Sequence, residues 1–329
     1  MIAPRANPTL LGQDRAIAEL HRAASGPRLH HAWLITGPPG IGKATLAYRF
    51  ARWLLAAAHT PDLSLPPTDP VFRRVAVASH ADLLVIERRY DEKKKRMQGE
   101  IVVETVAQAG KFLRLTPGEG GWRVVIVDGA EALNRNAANA LLKLLEEPPP
   151  RAIWLLVCHA PGRLLPTIRS RCRQLDAAPL DPATIETLLA TAQPDLTAPQ
   201  RARLATLAEG SIGRALSLAS TDGLALASLV DEALTTTIPP ARAAAIADAI
   251  ARAEDGFATF IDLLRTGIAT ATRAKARITP TSSLDHPTSS LDHQVSLWQE
   301  FGQLEAEVEG LNLDPRAAII TILHRLRPS

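Results

Sequence analysis

The stretch "GPPGIGKATL", Gly37 to Leu46, decides the fold. Gly37, Gly42 and Lys43 satisfy the spacing G-x-x-x-x-G-K, with Gly40 a further glycine inside it. Glycines there let successive backbone N–H groups turn inward on phosphate oxygens, and the lysine reaches the outer phosphates. Context matters as much as spacing. "AWLIT" (Ala32 to Thr36) ahead of it is a short apolar run suited to a buried strand, and "ATLAYRFARWLL" behind it has helical periodicity. A helix that starts at the lysine points its positive end at the same anion.

One letter departs from the pattern. The residue after the lysine ordinarily supplies a hydroxyl to magnesium, and here it is Ala44. Thr45 is the alternative hydroxyl, although one helical step turns its side chain by about 100°.

Further out, "DLLVIE" (Asp82 to Glu87), "WRVVIVD" (Trp122 to Asp128) and "AIWLLVCHA" (Ala152 to Ala160) read as strands. "NAANALLKLLEE" (Asn136 to Glu147) reads as a helix stopped by Pro148, Pro149 and Pro150. Strands alternating with helices predict a parallel sheet covered by helices. "VVIVD" places Asp128 at a strand end, where an aspartate holds magnesium through water. Gly129 follows, and Glu131 is the nearest substitute base. Past about Arg173 the strand signal fades. "DPATIETLLATA" and "QRARLATLAEGSIGRALSLAS" predict short helices, and Ala/Leu-rich helices continue from about Gly223.

The motifs "LLGQDRAIAEL", "HHAWLITGPPGIGKATLAYRFARWLL", "VVIVDGAEALNRNAANALLKLLEEPP" and "HAPGRLLPTIRSRC" together resemble the clamp-loader subunits of bacterial DNA polymerase III, members of the AAA+ class. The resemblance covers most of Leu10 to Arg173; the C-terminal third matches only in helical character. It implies a P-loop α/β domain over residues 1–175, a small helical lid over 176–222 and an all-α collar over 223–329 that oligomerises. It also implies a role in DNA replication, and the opening "MIAPRANPTLLGQDRAI", which lacks the apolar core of a secretory signal, predicts the cytoplasm. The implied partners are gamma/tau-type ATPase subunits, a clamp-opening delta-type subunit, the sliding clamp and, through the complex, primed DNA.

Site residues follow from the same resemblance. Gly37, Gly40, Gly42, Lys43 and Thr45 would meet ATP or ADP. Arg214 in "GSIGRAL" matches a lid arginine that contacts nucleotide; the plainer reading is an exposed helix arginine. Arg171 in "SRC" matches an arginine finger, which neutralises phosphate charge in the adjoining subunit's site; its plainer reading is a salt bridge at a domain edge. Cys158 or His159 stands where relatives carry a small polar sensor. The clamp-loader glutamate after the aspartate is replaced by Gly129. With Ala44, this makes Asp128 a weak magnesium ligand and predicts a subunit that does not hydrolyse ATP itself. The rival readings are an active motor ATPase using Thr45 and Glu131, or a nucleotide-gated adaptor outside replication. The four-cysteine zinc module of many relatives has no counterpart, because the only cysteines are Cys158 and Cys172; zinc is not expected.

The rest of the chain restricts less. Its 329 residues are 46% hydrophobic and 22% charged, an ordinary soluble composition, and no run approaches the ~18 apolar residues of a membrane span. A net charge of +3 is too small to argue nucleic-acid binding alone. "DEKKKRMQGE" (Asp91 to Glu100) reads as a solvated hairpin tip, with phosphate contact the alternative. The tandem "PTSSLDH" heptapeptides, Pro280–His286 and Pro287–His293, predict a mobile loop over 279–293, with a metal role for His286 and His293 as the alternative. His30 and His31 read as packing residues, and Trp122 and Trp154 as core.

Overall fold

The computed structural model describes residues 2–88, 90–91, 96–119, 121–278, 288–311 and 313–326. The chain divides into two compact units, Met1–Ala192 with Ala208–Gly213, and Gln193–Leu207 with Arg214–Ser329.

In the first unit, α1 (Asp14–Ala24) leads into β1 (Ala32–Thr36), and α2 (Lys43–Leu55) follows the phosphate loop. Next come α3 (Pro70–Ala76), β2 (Leu83–Ile86), a two-residue hairpin of β3 (Tyr90–Asp91) and β4 (Arg96–Met97), α4 (Val103–Arg114) and β5 (Arg123–Asp128). Then α5 (Arg135–Glu146), β6 (Ala152–Cys158), α6 (Pro166–Arg169), β7 (Arg173–Asp176) and α7 (Pro182–Ala192) complete the elements. The main sheet has order β2-β5-β6-β1-β7, and every pairing in it is parallel.

Strand side chains alternate between faces, so each central strand feeds two cores. Trp33, Ile35, Ile126 and Leu155 pack toward α1 and α2, while Leu34, Val125, Trp154 and Leu156 pack toward α4 and α5. Burial on both faces explains why β1, β5 and β6 read as continuous apolar runs rather than alternating ones. Helix starts follow local chemistry. The Asp69 carboxylate accepts the N–H of Val71 at 2.7 Å ahead of Pro70, and the Asn134 side chain accepts the N–H of Ala137 at 2.9 Å.

The four expected strands form with their ends within two residues of expectation. β7 is an addition: it pairs with β1, Trp33 opposite Arg173, although only Leu175 of its four residues is buried. The Arg173 guanidinium lies 4.8 Å from the Trp33 ring centroid.

The second unit contains α8 (Ala198–Leu207), most of α9 (Ile212–Ser220), α10 (Gly223–Thr235), α11 (Pro240–Arg252), α12 (Gly256–Ile278), α13 (Thr288–Leu311) and α14 (Pro315–Arg325). α11 packs on α14, and α12 on both α10 and α13. The loop expected over 279–293 needs correction at its second half, since Thr288–His293 are the opening turns of α13. The buried Leu297 and Phe301 anchor that helix, and helix propagation from a packed segment is easier than nucleation. The first heptapeptide with His286, and Lys93–Lys95 of the basic stretch, lie outside the described residues. Among the described residues no helix is long and apolar enough to cross a membrane.

Candidate functional site

The phosphate loop joins β1 to α2. Gly37, Gly40 and Gly42 adopt φ of 140°, 73° and 97°, a region closed to most side chains. Space enforces the same choice at two of them. A Cβ on Gly37 would lie 2.6 Å from the Ala177 carbonyl oxygen, and one on Gly40 would lie 2.3 Å from Ser211 Oγ. The loop is gripped from two sides. Gln13, buried ahead of α1, donates to the carbonyls of Ile41 (3.1 Å) and Ala178 (2.8 Å). The Gly213 N–H donates to the Gly40 carbonyl at 2.9 Å, and a Cβ on Gly213 would lie 2.9 Å from Gly40 Cα.

Lys43 turns onto its own loop. Its ammonium donates to the Gly37 carbonyl at 2.7 Å and also to that of Pro38. Burial pushes its pKa down to about 8, against the opposing pull of Glu131, Cys158 and Asp128. Glycine torsions, a lysine and a helix start therefore fit a phosphate group. The fit for magnesium is poor. Ala44 carries no oxygen, and Thr45 points into the buried side of α2.

Asp128 ends β5, and burial raises its pKa, with Glu131 adding to the rise. Glu131, expected as a substitute base, is already engaged: its Oε2 accepts the His159 N–H at 3.1 Å. Burial alone would raise its pKa; hydrogen bonds from backbone N–H groups and the Cys158 thiol outweigh that and hold it low. Cys158 is correspondingly pushed up to about 12 by burial and by the Glu131 bond. A cleft of about 520 Å³ opens beside these groups, lined by Asp128, Gly129, Glu131 and His159 together with Arg88 and Arg163. A thiol-bonded carboxylate with two donors on it is poorly placed to take a proton from water.

Two further sequence candidates are arginines held in ion pairs. Arg214 Nη2 pairs with Asp262 Oδ2 at 2.8 Å and donates to Thr266 Oγ1 at 2.8 Å, both on α12. Arg171 lies on the turn between α6 and β7, with its side chain 37% exposed and its Nη2 2.8 Å from Glu146 Oε1. His30 and His31 stack at 4.6 Å, and His31 Nε2 contacts the Leu145 carbonyl at 3.1 Å. Among the described residues no group of three His, Cys, Asp or Glu side chains is placed to hold a metal ion. Gln13, Ser211 and Gly213 shape the loop without being marked by any spacing rule. A glutamine in "LLGQD" is compatible with any helix start, and its role depends on contacts made by residues far along the chain.

A family model described as DNA polymerase III, delta subunit, matches residues 12–181. The chain belongs to that family. It is 41% identical over 183 residues to the DNA polymerase III subunit delta' of Pseudomonas aeruginosa, covering 55% of this chain and 53% of that protein. It is 35% identical over 215 residues to the subunit delta' of Escherichia coli, covering 64% and 61%. Against the Escherichia coli subunit tau, identity is 30% over 219 residues, covering 65% and 32%. The chain spans about half the length of the first two delta' relatives that it matches. The family match and the parallel five-stranded sheet together establish a P-loop AAA+ domain followed by helices.

Proposed function

We propose that this chain is a non-catalytic subunit of the bacterial replicative clamp loader, a fixed element that completes a neighbour's ATP site. One observation carries the reading: a single compact unit contains a phosphate loop with Ala44 at the magnesium position and a partly exposed Arg171 on the turn after α6. The relatives are DNA polymerase III subunits of delta' and tau type, which supports assembly with gamma/tau-type ATPases and a delta-type subunit, action on the sliding clamp and primed DNA, and work in the cytoplasm. The helices after residue 175 would serve as a lid (176–222) and an oligomerising collar (223–329).

In its own site, Gly37, Gly40, Gly42 and Lys43 would hold the phosphates of ATP or ADP, while magnesium coordination lacks an oxygen at Ala44. Arg214, paired with Asp262 on α12, would contact nucleotide as a lid arginine. In the neighbour's site, Arg171 would neutralise charge growing on the transferred phosphoryl oxygens.

The isolated chain is expected to hydrolyse ATP on the order of 100-fold more slowly than a gamma/tau-type subunit, with rate and nucleotide affinity both unchanged by EDTA. Magnesium-stimulated turnover that is lost in Lys43→Ala would overturn the reading.

Nucleotide affinity should also depend on pH. Lys43 is charged below about pH 8 and neutral above it, so its attraction for phosphate is present below that value and fades as pH rises. Affinity for labelled ATP is expected to fall about tenfold per unit above pH 8 until the contribution is gone. A Lys43→Met variant should bind weakly with a flat profile from pH 7 to 9, and a flat profile in the parent protein would refute this role for the lysine.

A further inference from the structure

Arg171 is not extended toward solvent. The chain around it is fixed by backbone bonds, Ser170 N–H to the Pro166 carbonyl at 2.9 Å and Arg171 N–H to the Ile168 carbonyl at 3.1 Å. On this turn the side chain folds back, and Nη1 donates to the carbonyl of Thr167, four residues earlier, at 3.1 Å. Nη2 meets Glu146 Oε1 at 2.8 Å. Guanidinium has five N–H donors, and two of its nitrogens are thus turned toward its own subunit.

Glu146 is oddly placed for a helix. It is the last residue of α5, where the peptide dipoles leave partial negative charge and a carboxylate is disfavoured. The prolines at 148–150 prevent α5 from continuing and moving that end elsewhere. Arg171 supplies the positive group that this helix end lacks. The pair is exposed on both sides, 37% and 43%, and exposed ion pairs are weak. A phosphate, which binds guanidinium through two parallel charge-assisted bonds, outcompetes a single solvated carboxylate.

We propose that Glu146 is a parking carboxylate. It holds Arg171 retracted against its own subunit until phosphate oxygens of the adjoining subunit's nucleotide displace it. The inference rests on the reading of Arg171 as a trans donor, and it makes Glu146 a positioning residue acting only through that arginine.

The test uses the assembled clamp loader containing parent chain, Glu146→Gln, Arg171→Ala or both changes, with single-turnover ATP hydrolysis measured at the adjoining site. Glu146→Gln keeps the shape and removes the charge, and is expected to raise the rate about two- to fivefold, the range set by a weak surface pair. The double variant should match Arg171→Ala alone. An unchanged or lowered rate in Glu146→Gln, with Arg171→Ala still slow, overturns the parking role and leaves the trans donor standing. The same gain from Glu146→Gln in the Arg171→Ala background also overturns it, because the carboxylate would then act by another route. An Arg171→Ala assembly that hydrolyses normally removes both proposals together.

Discussion

Replacing Arg171 by alanine is expected to slow ATP hydrolysis at the adjoining subunit's site on the order of 10³-fold, while the complex still assembles. The expected size follows from what a guanidinium supplied in trans contributes to phosphoryl transfer. The expected specificity follows from the local structure. Truncation removes one exposed ion pair and one bond to Thr167, whereas the buried Ile168 and Cys172 keep the turn seated on the sheet. Stability should therefore change by less than about 1 kcal/mol. Arg171→Lys keeps the charge and loses the fork, and should fall between parent and alanine. Single-turnover hydrolysis with gel filtration of the assembly measures both halves of the prediction. An unimpaired rate would refute the trans role, and failed assembly would show that Arg171 is structural.

Asp82→Ala is expected to destabilise the first unit by about 3 kcal/mol. Asp82 is 1% exposed and accepts the N–H of Gly118 at 2.8 Å and of Glu119 at 3.0 Å, which ties the segment after α4 to the foot of β2. Its Oδ1 also lies 3.6 Å from Arg123 Nη2. Arg123 is itself buried, with its guanidinium 4.7 Å from the Phe112 ring centroid and bonded to the carbonyls of Phe112 and Thr116. Removing the carboxylate leaves two N–H groups unpaired and a buried cation without its counter-charge. The surviving carbonyl bonds keep the loss nearer the lower end of the range for a broken buried pair. Urea unfolding followed by tryptophan fluorescence suits the measurement, because Trp33, Trp53, Trp122 and Trp154 all lie in the first unit and only Trp298 in the second. A loss below about 1 kcal/mol would show that solvent compensates these groups.

Much of the α/β domain was legible because its signals are local. "AWLIT" gives β1 residue for residue, and three consecutive prolines end α5 where proline must. The glycine spacing placed the phosphate loop for the same reason, since three left-handed torsions leave little other choice of residue. β7 was not legible. Three of the four residues of "RQLD" are exposed, and what makes them a strand is the open edge of β1. Thr288–His293 misled in the opposite direction, because a Ser/Thr-rich heptapeptide carries no core of its own and is drawn into α13 by the buried Leu297 and Phe301 beyond it. At the site, Glu131 could be seen as the nearest carboxylate, whereas its commitment to the His159 N–H and the Cys158 thiol is a property of neighbouring strands. The Glu146–Arg171 pair joins two elements through space and has no sequence period at all.

The contact between Gly40 and Gly213 links the phosphate loop to the start of α9 without any side chain on either partner. A methyl group gained by either one strikes the opposite segment, and a methyl lost is not available as compensation because neither has one to give up. Mutational drift at these two positions is thereby closed from both directions, and descendants of this chain that keep the loop should keep glycine at both.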